Sequence, residues 1–314
     1  MVGMTKRAFL FPGQGAQHVG MGKDFFEQFA EARNIYQRAN DVLGFDLARM
    51  CFEGEETELS KTFIAQPAIL VTSIAILEVL KSIKGPEVTA CHAACGHSLG
   101  EYTALVFAGA ICLEDAVGIV HKRGKYMQEA TANVPAGMTA VLGLEDEDVE
   151  AVCQEASAHG IVCVANYNCP GQVVISGESR ALEEAACIAK GKGAKTVSLK
   201  VGGAFHSPFM APAQARLASE LEKLNVTVAN VPVVANVNAA YVREPREVKS
   251  LLVAQIVSPV RWTQSMRNLF SDGVDEFYEV GPGKVLSGLL RRIDQNKRII
   301  TIDSVNSLAA VAGG

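Results

Sequence analysis

Cys91-His92-Ala93-Ala94-Cys95-Gly96-His97-Ser98-Leu99-Gly100-Glu101-Tyr102 is the stretch whose reading decides the fold. Cys91 to Cys95 is a run of small, mostly apolar residues suited to a buried strand. Gly96 to Gly100 matches the pentapeptide G-x-S-x-G, and Glu101 onward (EYTALVFAGA) has the composition of a helix. Strand, sharp turn and helix are the context in which this pentapeptide forms a nucleophile elbow, with glycine on both sides to let the backbone make the turn. Ser98 is thereby expected at a helix N-terminus. There the backbone N–H of Leu99 and the positive end of the helix dipole can face an oxyanion.

Around this stretch lies a chain of 314 residues, long enough for a large core and for two domains. A hydrophobic content of 49% indicates a compact chain, not a disordered one. The longest apolar-looking run, Ala68 to Leu77, contains Thr72 and Ser73 and is closed by Pro67 and Glu78. It falls short of the roughly 18 residues that a membrane helix requires, so no membrane span is expected. The first residues run almost at once into a strand (RAFLF) without a signal-peptide pattern. The expected location is therefore the cytoplasm, or an organelle if a presequence has been removed. A net charge of −5 without a dense Lys/Arg block argues against nucleic acid as a partner. Eight cysteines in so long a chain do not suggest a disulfide framework. Cys91, His92, Cys95 and His97 have no second ligand pair elsewhere, so they are read as core and turn residues and no metal is expected.

Before the elbow, Arg7 to Phe11 reads as a strand running into Pro12-Gly13-Gln14-Gly15. A dinucleotide fingerprint would need glycine where His18 stands, so only a tight turn with close backbone approach remains. Helical patterns follow at Asp24 to Phe29, Ala32 to Leu43 and Gln66 to Ile83, with Pro67 in a first helical turn. After the elbow, Leu113 to Ala130 is a helix carrying Lys122, Arg123 and Lys125. From Ala136 the order becomes strand, helix, strand, strand, helix, strand, ending near Val201. This βαββαβ order is ferredoxin-like, and it predicts a small domain over 135–202 inserted into a large domain made of 1–134 and 203–314. Further strands at Val233 to Asn236, Glu276 to Val280 and Ile299 to Ile302 alternate with helices, as a parallel sheet requires.

A serine hydroxyl needs a neighbouring base. Of six histidines, only His206 follows the elbow on a loop leaving a predicted strand at a domain junction, where clefts form.

Six ordered motifs carry a resemblance that spans nearly the whole chain: Phe11-Pro12-Gly13-Gln14-Gly15, Gly96 to Glu101, Arg123 in KRGKYMQ, Ala204-Phe205-His206-Ser207, Gln255 in QIVSPVRW, and Glu279 to Gly283. Together they resemble the malonyl-CoA:acyl carrier protein transacylases, the acyltransferase family of fatty-acid and polyketide synthesis. The resemblance implies an α/β-hydrolase-like large domain, with Ser98 as nucleophile and His206 as base. It implies an oxyanion hole from the backbone N–H groups of Gln14 and Leu99, and a malonyl carboxylate bound by Arg123. Gln255 would orient His206 through its main-chain carbonyl, where a Ser-His-Asp triad would use an acid. Malonyl-CoA and acyl carrier protein are the implied partners. No metal or redox cofactor is implied, and a monomer is the expected state. Phe205 in Ala-Phe-His-Ser resembles the malonyl-selective members; methylmalonyl-selective ones look like Tyr-Ala-Ser-His there. A serine hydrolase would share Ser98, His206 and the oxyanion hole, but has no use for a cation facing the acyl group. A scaffold that only binds acyl carrier protein would need none of Ser98, His206 and Arg123.

Overall fold

The computed structural model describes residues 6–311. Its strands, in chain order, are β1 (Lys6–Phe11), β2 (Ala93–Gly96), β3 (Ala136–Leu142), β4 (Val162–Cys169), β5 (Gln172–Glu178), β6 (Lys195–Ser198), β7 (Val233–Val234), β8 (Tyr241–Val242), β9 (Val274–Val280) and β10 (Arg298–Ile302). They form two sheets, a six-stranded one in the order β10-β9-β1-β2-β7-β8 and a four-stranded one in the order β4-β5-β3-β6. Every pairing in the first is parallel except β7 with β8, and every pairing in the second is antiparallel. The expected parallel sheet and the ferredoxin-like βαββαβ unit are both present. The short β8, only two residues long, carries no period that a sequence reading could use.

β1 and β2 are buried on both faces, Ala8 to Phe11 and Ala93 to Gly96 being without exposed positions, as a central parallel sheet covered by helices demands. Phe11 pairs with Gly96, so the loop after β1 and the elbow after β2 leave the sheet side by side. Residues meant for chemistry therefore gather at the carboxyl ends of adjacent strands, where open α/β sheets bind ligands. The smaller sheet is tied to this edge through Val260, whose N–H donates to Ala165 O at 2.9 Å and whose carbonyl accepts from Tyr167 N–H at 2.9 Å.

The longest helix, Thr62–Lys84, starts four residues earlier than the sequence predicts and places Pro67 in its interior, not its first turn. Pro67 has no N–H for the carbonyl of Phe63, four residues back. His121 Nδ1 fills that gap, 2.8 Å from Phe63 O. By length and composition this helix could cross a membrane, and it continues through both Pro67 and Glu78, yet almost all of it is packed inside the protein. Thr72 and Ser73 bond back to the carbonyls of Ala68 and Ile69, which removes the cost of burying their hydroxyls.

Candidate active site

The elbow's strain sits on the serine. Ser98 has φ 51° and ψ −102°, outside the regions open to ordinary residues, and stands immediately before the helix Leu99–Phe107. Gly96 and Gly100 do not have positive φ; they are required for close approach instead. A Cβ on Gly96 would lie 1.9 Å from the Gly100 carbonyl, and one on Gly100 would lie 2.1 Å from Phe11 O. The turn is clamped by Asn236 at the end of β7: its Oδ1 accepts Ser98 N–H at 2.7 Å and its Nδ2 donates to Gly96 O at 2.7 Å.

His206 arrives on the loop after β6 with φ 55°, the second non-glycine with positive φ at this site. Two such residues cost roughly 1–3 kcal/mol each, and this strain is concentrated where the two side chains meet. Ser98 Oγ lies 2.8 Å from His206 Nε2. His206 Nδ1 faces two carbonyls, Gln255 O at 2.9 Å and Ser258 O at 3.0 Å. Carbonyls only accept, so Nδ1 carries the proton and Nε2 is free to accept the serine hydroxyl's. Burial, and then the Arg123 charge, push the imidazole down to about 3, which keeps it neutral at physiological pH. The second carbonyl, from Ser258, has no sequence signal of its own; it follows from the Val260 tie to β4.

Arg123 is fully buried while its neighbours Lys122 and Lys125 are exposed. Gly124 allows this: a Cβ there would lie 2.6 Å from Phe63 Cα, so the helix Leu113–Ala130 packs tightly on Thr62–Lys84. The guanidinium donates through Nη1 to Gln66 Oε1 at 2.8 Å, and through Nη2 to Gln255 Oε1 at 2.9 Å and Ser98 Oγ at 3.1 Å. Its Nε has no partner, and among the described residues no carboxylate pairs with it. Burial lowers its pKa below the ordinary guanidinium value, the cost of a cation held out of water with no carboxylate in direct contact, and the Glu101 charge raises it only in part. The face of Tyr102, 5.5 Å away, offsets part of that cost.

A cavity of ≈ 110 Å³ opens over these groups, with Gln14, Leu99, Phe205 and Leu199 among its walls. The large sheet's loops and the small sheet both line it, Met138 and Asn166 coming from the latter. Of the six residues singled out in the sequence, Ser98, Leu99, Gln14, Arg123 and His206 face this cavity, and Gln255 stands behind it. Leu99 opens its helix, so its N–H has no acceptor within the helix. Sequence reasoning missed Asn236 and Gln66. Asn236 carried a signal, being polar at the carboxyl end of a predicted parallel strand. A larger hollow of ≈ 640 Å³ elsewhere has its arginines, Arg33 and Arg49, in solvent, with no buried polar group aimed into it.

A hydroxyl hydrogen-bonded to a neutral imidazole, on a strained turn beside a helix N-terminus, can add to a carbonyl and pass its proton to nitrogen. The buried cation beside it, with no carboxylate in direct contact, is placed to meet an anionic group on whatever carries that carbonyl. Comparison with known proteins bears on the family and the fold. The acyl transferase domain family matches residues 8–306. A malonyl CoA-acyl carrier protein transacylase of Bacillus subtilis is 44% identical, over 97% of this chain and 96% of that protein. The solved structure of a malonyl CoA-acyl carrier protein transacylase from Coxiella burnetii superposes with a TM-score of 0.94 at 36% identity, covering 98% of this chain and 96% of that one. A type II PKS acyl-carrier protein in complex with its malonyl-transacylase also matches, with a TM-score of 0.94 at 38% identity over 98% and 99%. With identity of this order along nearly its whole length, the chain belongs to the acyl transferase domain family, among the malonyl CoA-acyl carrier protein transacylases, and is an acyltransferase.

Proposed function

We propose that the chain moves a malonyl group from malonyl-CoA to the phosphopantetheine thiol of acyl carrier protein through an ester on Ser98, in the cleft between a large domain and a small one spanning 135–202. The observation that carries this reading is Arg123: a buried guanidinium without a carboxylate partner, 3.1 Å from the serine oxygen. Ser98 Oγ attacks the thioester carbonyl as its proton passes to His206 Nε2. The tetrahedral oxyanion is met by the N–H groups of Leu99 and Gln14. Collapse breaks the C–S bond, and the departing thiolate takes the proton from His206, leaving coenzyme A and the malonyl ester. The carrier's thiol then gives its proton to His206 and attacks the ester, and Ser98 recovers a proton as it leaves. The sequence as written calls for no metal or redox cofactor.

Gln255 and Ser258 hold the imidazole through carbonyls and so place no negative charge beside the malonyl carboxylate. Intact mass after brief exposure to malonyl-CoA tests the intermediate. The expected result is one malonyl adduct on the protein and none on Ser98→Ala; labelling retained in the variant would place the ester elsewhere. Rapid release of free malonate without an acceptor would favour a hydrolase instead.

A further inference from the structure

The chemistry above leaves a fully buried acid beside the elbow without a task. Glu101 stands in the first turn of the helix Leu99–Phe107, where it is 1% exposed. Its Oε2 accepts two hydrogen bonds, from Asn236 N–H at 3.0 Å and from Gln255 Nε2 at 2.8 Å. The same Gln255 nitrogen donates to Ser98 O at 2.9 Å, so both of its hydrogens are committed to acceptors. With the nitrogen held there, the Gln255 oxygen has to face the opposite way, and there it meets Arg123 Nη2 at 2.9 Å. The two ends of a side-chain amide have nearly the same shape, and only the groups around them decide which end points where.

We propose that Glu101 is a positioning residue for acyl selection: by holding the Gln255 amide nitrogen it turns the Gln255 oxygen onto Arg123, and so sets the guanidinium beside Ser98. This rests on the reading of Arg123 as the anchor of the acyl carboxylate. Were the amide reversed, an NH₂ group would confront the guanidinium, donor against donor, and Arg123 would be driven off its place. An acyl group carrying a carboxylate would lose its anchor. An acetyl group has no carboxylate to lose, so the effect falls on selectivity and not on ester formation in general.

The test is competition between malonyl-CoA and acetyl-CoA for ester formation on the full chain, read by intact mass. Glu101→Ala should reduce the malonyl-over-acetyl preference on the order of tenfold to a hundredfold, as loss of an outer hydrogen-bond partner does at metal sites. Glu101→Gln, whose side-chain oxygen can still accept from Gln255, should restore most of it. Equal losses for the two acyl groups, with no rescue by glutamine, would mean that Glu101 only supports the elbow through Asn236, and would overturn the proposal. If the alanine variant does not fold, Glu101→Asp takes its place, being one methylene short of Gln255. It must lose the preference while Glu101→Gln keeps it, and the reverse order overturns the proposal. Arg123→Ala in the same competition separates the two readings. If that variant keeps the preference, the carboxylate is bound elsewhere; if it loses the preference while Glu101→Ala keeps it, only the role of Glu101 falls.

Discussion

His206 and Glu101 take opposite protonation states in the folded chain from those they hold unfolded. Burial lowers the imidazole from 6.5 to about 3 and raises the carboxyl from 4.5 to about 7. Between pH 4.5 and 6.5 the unfolded chain carries one proton on His206 and the folded chain carries one on Glu101, so the two contributions to the pH slope of stability cancel. Removing either partner uncovers the other. In Glu101→Gln only the depressed histidine remains, and stability relative to the parent should fall as pH drops from about 7 toward 4.5, the window over which the parent gains from the raised carboxyl. In His206→Ala only the raised carboxyl remains, and relative stability should fall as pH rises from about 3 toward 6.5, the window over which the parent gains from the depressed histidine. Each slope is about 1.4 kcal/mol per pH unit at most. Urea unfolding of the three proteins at pH 5 and pH 7 measures it, and parallel curves would remove both shifts. Arg123 calls for a different assay. A guanidinium meeting a carboxylate through charge-assisted bonds is worth roughly 1.5 to 3 kcal/mol per bond, whereas excluding one methyl at Phe205 is worth about 1 to 3 kcal/mol in all. Malonyl should therefore exceed methylmalonyl clearly and acetyl by more. Arg123→Ala should let acetyl compete, and Arg123→Lys should recover only part, because an ammonium lacks the planar fork. A malonyl preference that survives Arg123→Ala in direct competition removes this account.

The elements show why some of this was legible before any coordinates and some was not. Ser98, His206 and the βαββαβ order could be read because each depends on local pattern: a pentapeptide between strand and helix, a histidine on a loop, periods that switch from two to 3.6. Gln66 and the task of Glu101 could not, because their partners lie 57 and 154 positions away and no local period records such a pairing; for Asn236 the strand end marks the position but not its partner 138 positions away. Helix Thr62–Lys84 falls between these cases. Its apolar run was visible, but its start was misplaced because Pro67 reads as a first-turn residue unless something else satisfies the Phe63 carbonyl. His121 does that from another helix. His121→Ala should cost about 1 to 2 kcal/mol as that carbonyl loses its partner. Pro67→Ala supplies an N–H to the same carbonyl, so in that background the loss at His121 should shrink. Urea midpoints of the two single variants and the double one give the coupling, and strict additivity would show that the Phe63 carbonyl is not what links them.

At the scale of the whole molecule, the proposed partner raises a question of charge, since acyl carrier proteins are acidic as a family and this chain is acidic too. With a net charge of −5, attraction has to come from a local patch, and screening confines it to within about 8–10 Å of the surface. Lys190, Lys192, Lys195, Arg291 and Arg292 are candidates for such a patch, and the fold brings Lys195 and Arg292 to one end of the small sheet. Lys195 pairs with Leu142, Leu142 pairs with Gln172, and Gln172 accepts from Arg292; two strand spacings put Lys195 and Gln172 roughly 10 Å apart. Lys190 borders a hollow of ≈ 530 Å³ that adjoins the catalytic cavity, Met138, Leu199 and Val201 lining both. Lys192 already faces Asp148 at 3.7 Å, so its reversal would also create a repulsive pair and is the least clean probe. Lys190→Glu, Lys195→Glu and Arg292→Glu should each raise the apparent KM for the carrier protein while the rate of malonyl-enzyme formation from malonyl-CoA holds. The three together should do so more strongly, and the difference should fade as salt is added. Transfer kinetics at low and high ionic strength decide it: a KM that does not move, or a malonylation rate that falls in step with it, takes this face out of docking.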